Sequence, residues 1–207
     1  MKVRSTTHGY YALSLSSPDG SDLIRSNSER AFIISLFQDT LSPRFILNQG
    51  VAYQQLSACI DLLAFSITRK DIRLIVFTID THATKALLRT IQLRLAEFQT
   101  TTTPRPFTSQ THGSLHPPVS RSTTQKLYGP HHALLNTLSL HHRHSDWEYD
   151  RYSSIGFYLH DRRGDWMRIW RITRLYRNDP HYYFTLIRKA LAAPSVDAVT
   201  MQSRLGA

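Results

Sequence analysis

The side chains able to do chemistry in this sequence are its arginines, histidines and tyrosines. Twenty arginines stand against five lysines, and basic residues outnumber acidic ones 25 to 15, for a net charge of +10. Arginine presents a fixed planar fork that matches phosphate oxygens two at a time. An Arg-rich, aromatic-rich basic chain points to nucleic acid as its partner. Five histidines, His131, His132, His141, His142 and His144, fall close together. On a helix His141 and His144 would share a face, but no carboxylate or cysteine sits at ligand spacing, so they read as a polar helix end or as contacts to bases. His82-Ala83-Thr84 reads as the first turn of a helix rather than a metal pair. The single cysteine, Cys59, has no base beside it in sequence and reads as a buried apolar residue; one cysteine excludes an internal disulfide framework.

These groups must be positioned by a folded core. The 207 residues, 41% hydrophobic, suffice for one domain with an appendage. No apolar run approaches the ~18 residues that span a bilayer. Residues 1–10 lack the apolar stretch of a secretory signal, which together with the lone cysteine predicts a cytoplasmic protein.

Residues 9–16 alternate as a strand, with Tyr11, Leu13 and Leu15 on one face. Ser26 followed by Glu29 starts a helix whose stripe is Phe32, Ile33, Leu36, Phe37 and Leu41, stopped by Pro43. A short helix is expected over 51–58. The apolar runs 60–67 and 72–79, separated by Thr68-Arg69-Lys70, predict a β-hairpin. Thr81 is expected to cap a helix over 82–98. Residues 99–126, rich in Pro, Ser and Thr, read as a loop in which Arg105 and Arg121 are able to touch phosphate. A helix follows from Pro130, then an irregular aromatic stretch over 146–159. Arg168, Arg171, Arg174 and Arg177 recur every third residue between Trp166, Ile169, Trp170, Ile172 and Leu175, which predicts one amphipathic basic helix over 165–177. A last helix covers 182–191, with a frayed tail beyond Pro194.

This order suggests an α+β protein. Its expected form is a ferredoxin-like palm, an antiparallel sheet with helices on one face, plus a C-terminal helical extension. The expected divisions are a palm over 1–98, a loop over 99–126, a helix and aromatic string over 127–160, and a basic helical extension over 161–207.

Three strings carry a resemblance: LLAFSITRKDIRLIVF at 62–77, LLNTLSLHH at 134–142 and DWEYDRYSSIGFYL at 146–159. In their order and spacing they resemble the single-tyrosine HUH transposases, in the branch associated with repetitive extragenic palindromes. In that family a Met-Pro-Asn break precedes a His-hydrophobic-His pair, a later helix carries a tyrosine in a YIHxNP-type string, and a D(W/Y)xxSS(Y)xxY-type tail follows. Asp146, Trp147, Tyr152, Ser153, Ser154 and Tyr158 match that tail in order. The likeness runs from about His8 to Leu159, and more weakly through Tyr183-Phe184.

The resemblance implies a metal-dependent DNA-cutting scaffold in which paired imidazoles hold Mg²⁺ or Mn²⁺ and a phenol attacks the phosphate. This sequence departs from that pattern at its working residues. Where the imidazoles belong it has Asp71-Ile72-Arg73, and the nucleophile's place falls within about one position of Thr137. Asp71 suits a hard cation, but Arg73 stays protonated and would share the metal's side of the strand. Tyr128 lies nine residues before Thr137 and would face another way.

The expectation is therefore a DNA-binding protein for single strands or hairpins, without cofactor, bound metal or strand transfer. Arg73 takes the cation's place on the phosphate, or else forms a surface ion pair with Asp71. Arg69, Lys70, Arg73, Arg151, Arg162, Arg163, Arg168, Arg171 and Arg174 are the expected DNA contacts, while Tyr149, Tyr152 and Tyr158 stack on bases or pack in the core. The resemblance leaves room for a homodimer through the palms and for a bacterial, nucleoid-associated location. Two alternatives stay open. One is an active transposase with metal on Asp71 or His82 and a nucleophile such as Tyr128. The other is a retired domain that binds protein rather than DNA.

Overall fold

The structure, a computed structural model, describes residues 8–43, 55–102, 120–141, 147–160 and 162–192. Four strands, β1 (Gly9–Ser16), β2 (Ile60–Ile67), β3 (Asp71–Thr78) and β4 (Arg121–Leu127), form one antiparallel sheet in the order β2-β3-β1-β4. Helices α1 (Asn27–Leu41) and α2 (Thr81–Thr102) fall after β1 and β3. This is the ferredoxin-like βαββαβ arrangement, followed by α3 (Pro130–His141), α4 (Ile155–Leu159), α5 (Trp170–Thr173) and α6 (Pro180–Ala192).

The hairpin forms where the apolar runs foretold it, and Thr68 closes its turn. Its backbone N–H donates to Asp71 O (2.8 Å), while its Oγ1 accepts from the N–H groups of Lys70 and Asp71 at 3.1 and 3.0 Å. Helix α1 begins where Ser26 Oγ accepts from Glu29 N–H at 3.1 Å, the expected cap. Helix α2 departs from expectation at both ends. Asp80, not Thr81, accepts from the first turn through Oδ1 to His82 N–H (2.9 Å), and the helix runs on to Thr102. The short helix expected over 51–58 falls partly outside the described residues; of those within it, 55 and 56 are irregular and 57 and 58 begin a turn.

The sheet's two faces are covered differently. On one, Leu13, Leu15, Phe65, Ile72 and Leu74 meet α1 and α2; Phe37 packs edge-on to Phe65, and Phe32 stacks on Phe98 to join the helices. On the other, Ala12, Ser14, Arg73, Ile75, Thr123 and Gln125 face α3. The expectation of helices on one face thus holds for the palm pair, while the extension packs against the opposite face and the sheet's margin.

Two segments correct the sequence reading. The last part of the expected loop, residues 121–127, is the edge strand β4, which the RSTTQKL string hides because six of its seven side chains are exposed. The expected continuous helix over 165–177 is broken. Trp166 and Met167 are buried, Met167 forms a bridge with Leu62, and helix returns only as α5 and a 3-10 turn at Arg174–Tyr176. Arg177 and Asn178 then take left-handed backbone (φ 59° and 57°) and end it.

The outer edge of β2 would expose unpaired backbone groups, and the extension covers it. Ile67 N–H donates to Tyr152 O, Ser154 N–H to Phe65 O and Arg168 N–H to Leu62 O, at 2.8–3.0 Å. Leu63 is the extra residue of a bulge, and its carbonyl accepts from the Tyr158 phenol at 2.7 Å. Gly164 allows the close approach of Trp166: a Cβ there would stand 2.5 Å from the indole Nε1. That indole joins Phe37, Phe65 and Phe157 in one aromatic cluster.

Candidate nucleic-acid interface

Strand register gathers basic residues at one end of the sheet. Ser16 lies opposite both Asp71 on β3 and Arg121 on β4, so Arg121, Asp71 and Arg73 share the face toward α3. Exposed Arg69 and Lys70 form the adjoining hairpin turn. Tyr152, bonded to Ile67 at the same end, carries two guanidinium groups, those of Arg30 at 5.0 Å and Arg151 at 4.9 Å from its ring centre. Arg30 was not singled out in the sequence, because its helix gives no hint that it meets Tyr152. The acidic groups near this end include Asp71, Asp19, Asp22, Glu29 and Asp150. Hydroxyls of Ser17 and Ser21 and the Ser21 N–H hold the Asp19 carboxyl down to about 2, so it stays charged.

Asp71 is committed to the fold. Its Oδ1 accepts from Thr68 Oγ1 (2.8 Å) and its Oδ2 from Arg73 Nε (3.0 Å). The surface ion pair weighed from the sequence is thus present, with Arg73 half-exposed. The contact to Asp71 uses Nε, which leaves the Nη groups of the fork for another partner.

Beside Arg73 a polar groove of about 250 Å³ opens between the sheet and α3. Ser14, Thr123 and Gln125 line it from the strands, and Asn136 and Ser139 from the helix. Thr137 does not face it; that side chain is fully buried and its hydroxyl donates to Ala133 O at 2.9 Å. Asn136, one position away, lines it instead.

The C-terminal arginines form a second group. Arg168 and Arg171 meet Asp61, at 3.9 and 2.6 Å, near the start of β2, about 20 Å along the strand from its last residue, Ile67. The Arg171 guanidinium also lies over Phe77 (3.8 Å) and Trp170 (4.7 Å). Both therefore brace α5 on the palm, which the every-third-residue spacing did not reveal. Arg174 is exposed, 5.3 Å from the Trp170 ring. Arg162 Nη1 donates to Arg151 O (3.2 Å), its guanidinium lies over Phe157, and burial lowers its pKa; Arg163 is exposed.

The histidines disperse. His131 is exposed, His132 stacks on Tyr128, and His142 and His144 lie outside the described residues, as do Asp146, Arg105 and the tail from 193. His141 is buried between Ser154 Oγ (2.6 Å from Nε2) and the Tyr183 hydroxyl (2.8 Å from Nδ1). Tyr183 in turn stacks with Tyr158 and Tyr176. Burial, reinforced by the neighbouring phenols, raises the pKa of Tyr158 and Tyr183 well above the ordinary value. Tyr152 and Tyr158 are thus core residues, whereas Tyr149 is exposed and stacks on His160. Asp71 opens β3 and His82 lies beyond its last residue, Thr78, which is about 23 Å along the strand from Asp71, so they cannot share one ion. Tyr128 is 93% exposed and follows Leu127, which sits opposite Tyr10 at the end of the sheet away from Asp71. Among the described residues no three of His, Cys, Asp and Glu converge, and no helix is long and apolar enough to cross a membrane. No family model, no curated protein and no solved structure matches the chain.

Proposed function

We propose that this chain binds single-stranded or hairpin DNA through the basic end of its sheet and leaves the strand uncut, as a diverged relative of the single-tyrosine HUH transposases. The observation that carries the reading is the gathering of Arg69, Lys70, Arg121 and Arg151 at the end of the sheet where Arg73 lines the groove. Phosphate binding by such a set is electrostatic and needs no particular base. A guanidinium at 73 supplies a hold on phosphate but no metal ligand, and the amide at 136 is no phenol. The fitting location is the bacterial nucleoid.

Fluorescence anisotropy with labelled single strands and hairpins, titrated with KCl, tests the binding. Five phosphate contacts predict a slope of log K against log salt of about −3.5 on single strands. The strand-cutting half is tested by incubating the same DNA with Mg²⁺ or Mn²⁺ and looking for a covalent adduct on a denaturing gel. No adduct is expected, and one would restore an active transposase. The half-exposed Trp170 and Tyr182 on the extension favour the protein-binding alternative. Absent or salt-insensitive DNA binding would establish that reading over ours.

A further inference from the structure

The groove beside Arg73 is more than a phosphate seat. Its lining combines apolar side chains at Ala12, Ile75 and Leu140 with amides and hydroxyls at Gln125, Asn136 and Ser139. A flat ring with polar edges suits such a site, since its faces need apolar contact and its edges need partners. The volume of about 250 Å³ equals the space of about eight waters, room for one nucleotide unit. The Asn136 amide nitrogen gives one of its two hydrogens to His132 O at 2.8 Å, which leaves its second N–H and Oδ1 as a donor and an acceptor. A donor beside an acceptor matches a base edge that carries an amino group next to a ring nitrogen. Gln125, across the groove on β4, has both a donor and an acceptor, and amides read adenine through its N6 and N7 atoms.

We infer that this groove takes one unpaired, amino-bearing nucleotide of a DNA strand, adenine in preference to thymine, with Asn136 and Gln125 on the base edge and the Arg73 fork on the adjoining phosphate. This rests on the DNA-binding reading and adds base recognition to it. Asp71 offsets part of the Arg73 charge, so the attraction that brings the strand in comes from Arg69, Lys70 and Arg121 around it.

The test uses short single strands of about six nucleotides, near the lower site sizes of single-strand binders, with one abasic residue moved along an adenine run. Removing the base at one position should weaken binding about tenfold while the other positions stay near neutral. That sensitivity should vanish in N136A/Q125A. Adenine runs should outbind thymine runs in the unaltered protein only. A flat abasic scan with salt-dependent binding retained would overturn base recognition and leave the DNA-binding function standing. No DNA binding at all would overturn both. Equal affinity for free adenosine monophosphate would make the ligand a free nucleotide and overturn the strand assignment. Competition by inorganic phosphate alone, with no base preference, would reduce the groove to an anion site and overturn the inference as well.

Discussion

Arg171 separates the two basic groups, because its guanidinium is spoken for inside the molecule. Its side chain is 21% exposed and its partner Asp61 20% exposed, with Nε and Oδ2 2.6 Å apart. A charge-assisted hydrogen bond of this kind contributes about 1.5–3 kcal/mol. The contacts over Phe77 and Trp170 add about 0.5–1 kcal/mol. Arg171→Ala should therefore cost about 2–3 kcal/mol, since Asp61 is left with only Arg168 at 3.9 Å. For a chain of this size that lowers Tm by about 5–10 °C. Thermal unfolding followed by circular dichroism measures it. Removing Asp61 as well should recover about 1 kcal/mol, since no uncompensated carboxylate then remains. The DNA salt slope should not move. A Tm within a degree of the parent, or a slope flattened by about 0.7 as for a lost phosphate contact, would refute the brace and return Arg171 to the DNA surface.

Replacing Arg69 and Lys70 by Ala should do the reverse, flattening the single-strand salt slope by about 1.4 while leaving Tm within the ±0.5 kcal/mol range of exposed sites. Gly164→Ala should destabilise by about 1–3 kcal/mol, read as a lower urea midpoint, because the added methyl must displace Trp166. His141→Ala should cost about 2–4 kcal/mol by the same measure, as it orphans the Tyr183 hydroxyl and opens a cavity. Stability should also fall at alkaline pH. Tyr158 and Tyr183 are raised in the folded state, so they contribute fully below about pH 10 and progressively less above it. Urea midpoints that stay level from neutral pH to about pH 11 would contradict that.

The elements that sequence alone revealed are those whose side chains answer to a local rule. Two apolar runs across a three-residue polar break make β2 and β3, and Ser26 with a Glu three places on starts α1. Strand β4 escaped because an edge strand with exposed side chains needs no apolar alternation; β1 supplies its pairing. The helix expected over 165–177 failed because Trp166 and Met167 gain more from the β2 margin and the Phe37–Phe65 cluster than from continuing a helix. His141 looked like a polar helix end, yet partners 13 and 42 residues onward bury it. The basic turn at Arg69 and Lys70 was legible, whereas Arg30 and Asn136 joined the site only through tertiary contacts.

The covering of β2 by residues 152–154 and 167–168 has a consequence for synthesis. The hairpin is complete at Thr78, while the segments that shield its margin are made only about 75–90 residues later. At the usual pace of translation that interval is about 5–20 s. Throughout it the nascent chain carries an apolar strand with a bare ladder of amides and carbonyls, open to pairing with any neighbouring polypeptide. Holding by a chaperone during those seconds should raise the soluble yield, and a chain released before residue 168 should aggregate.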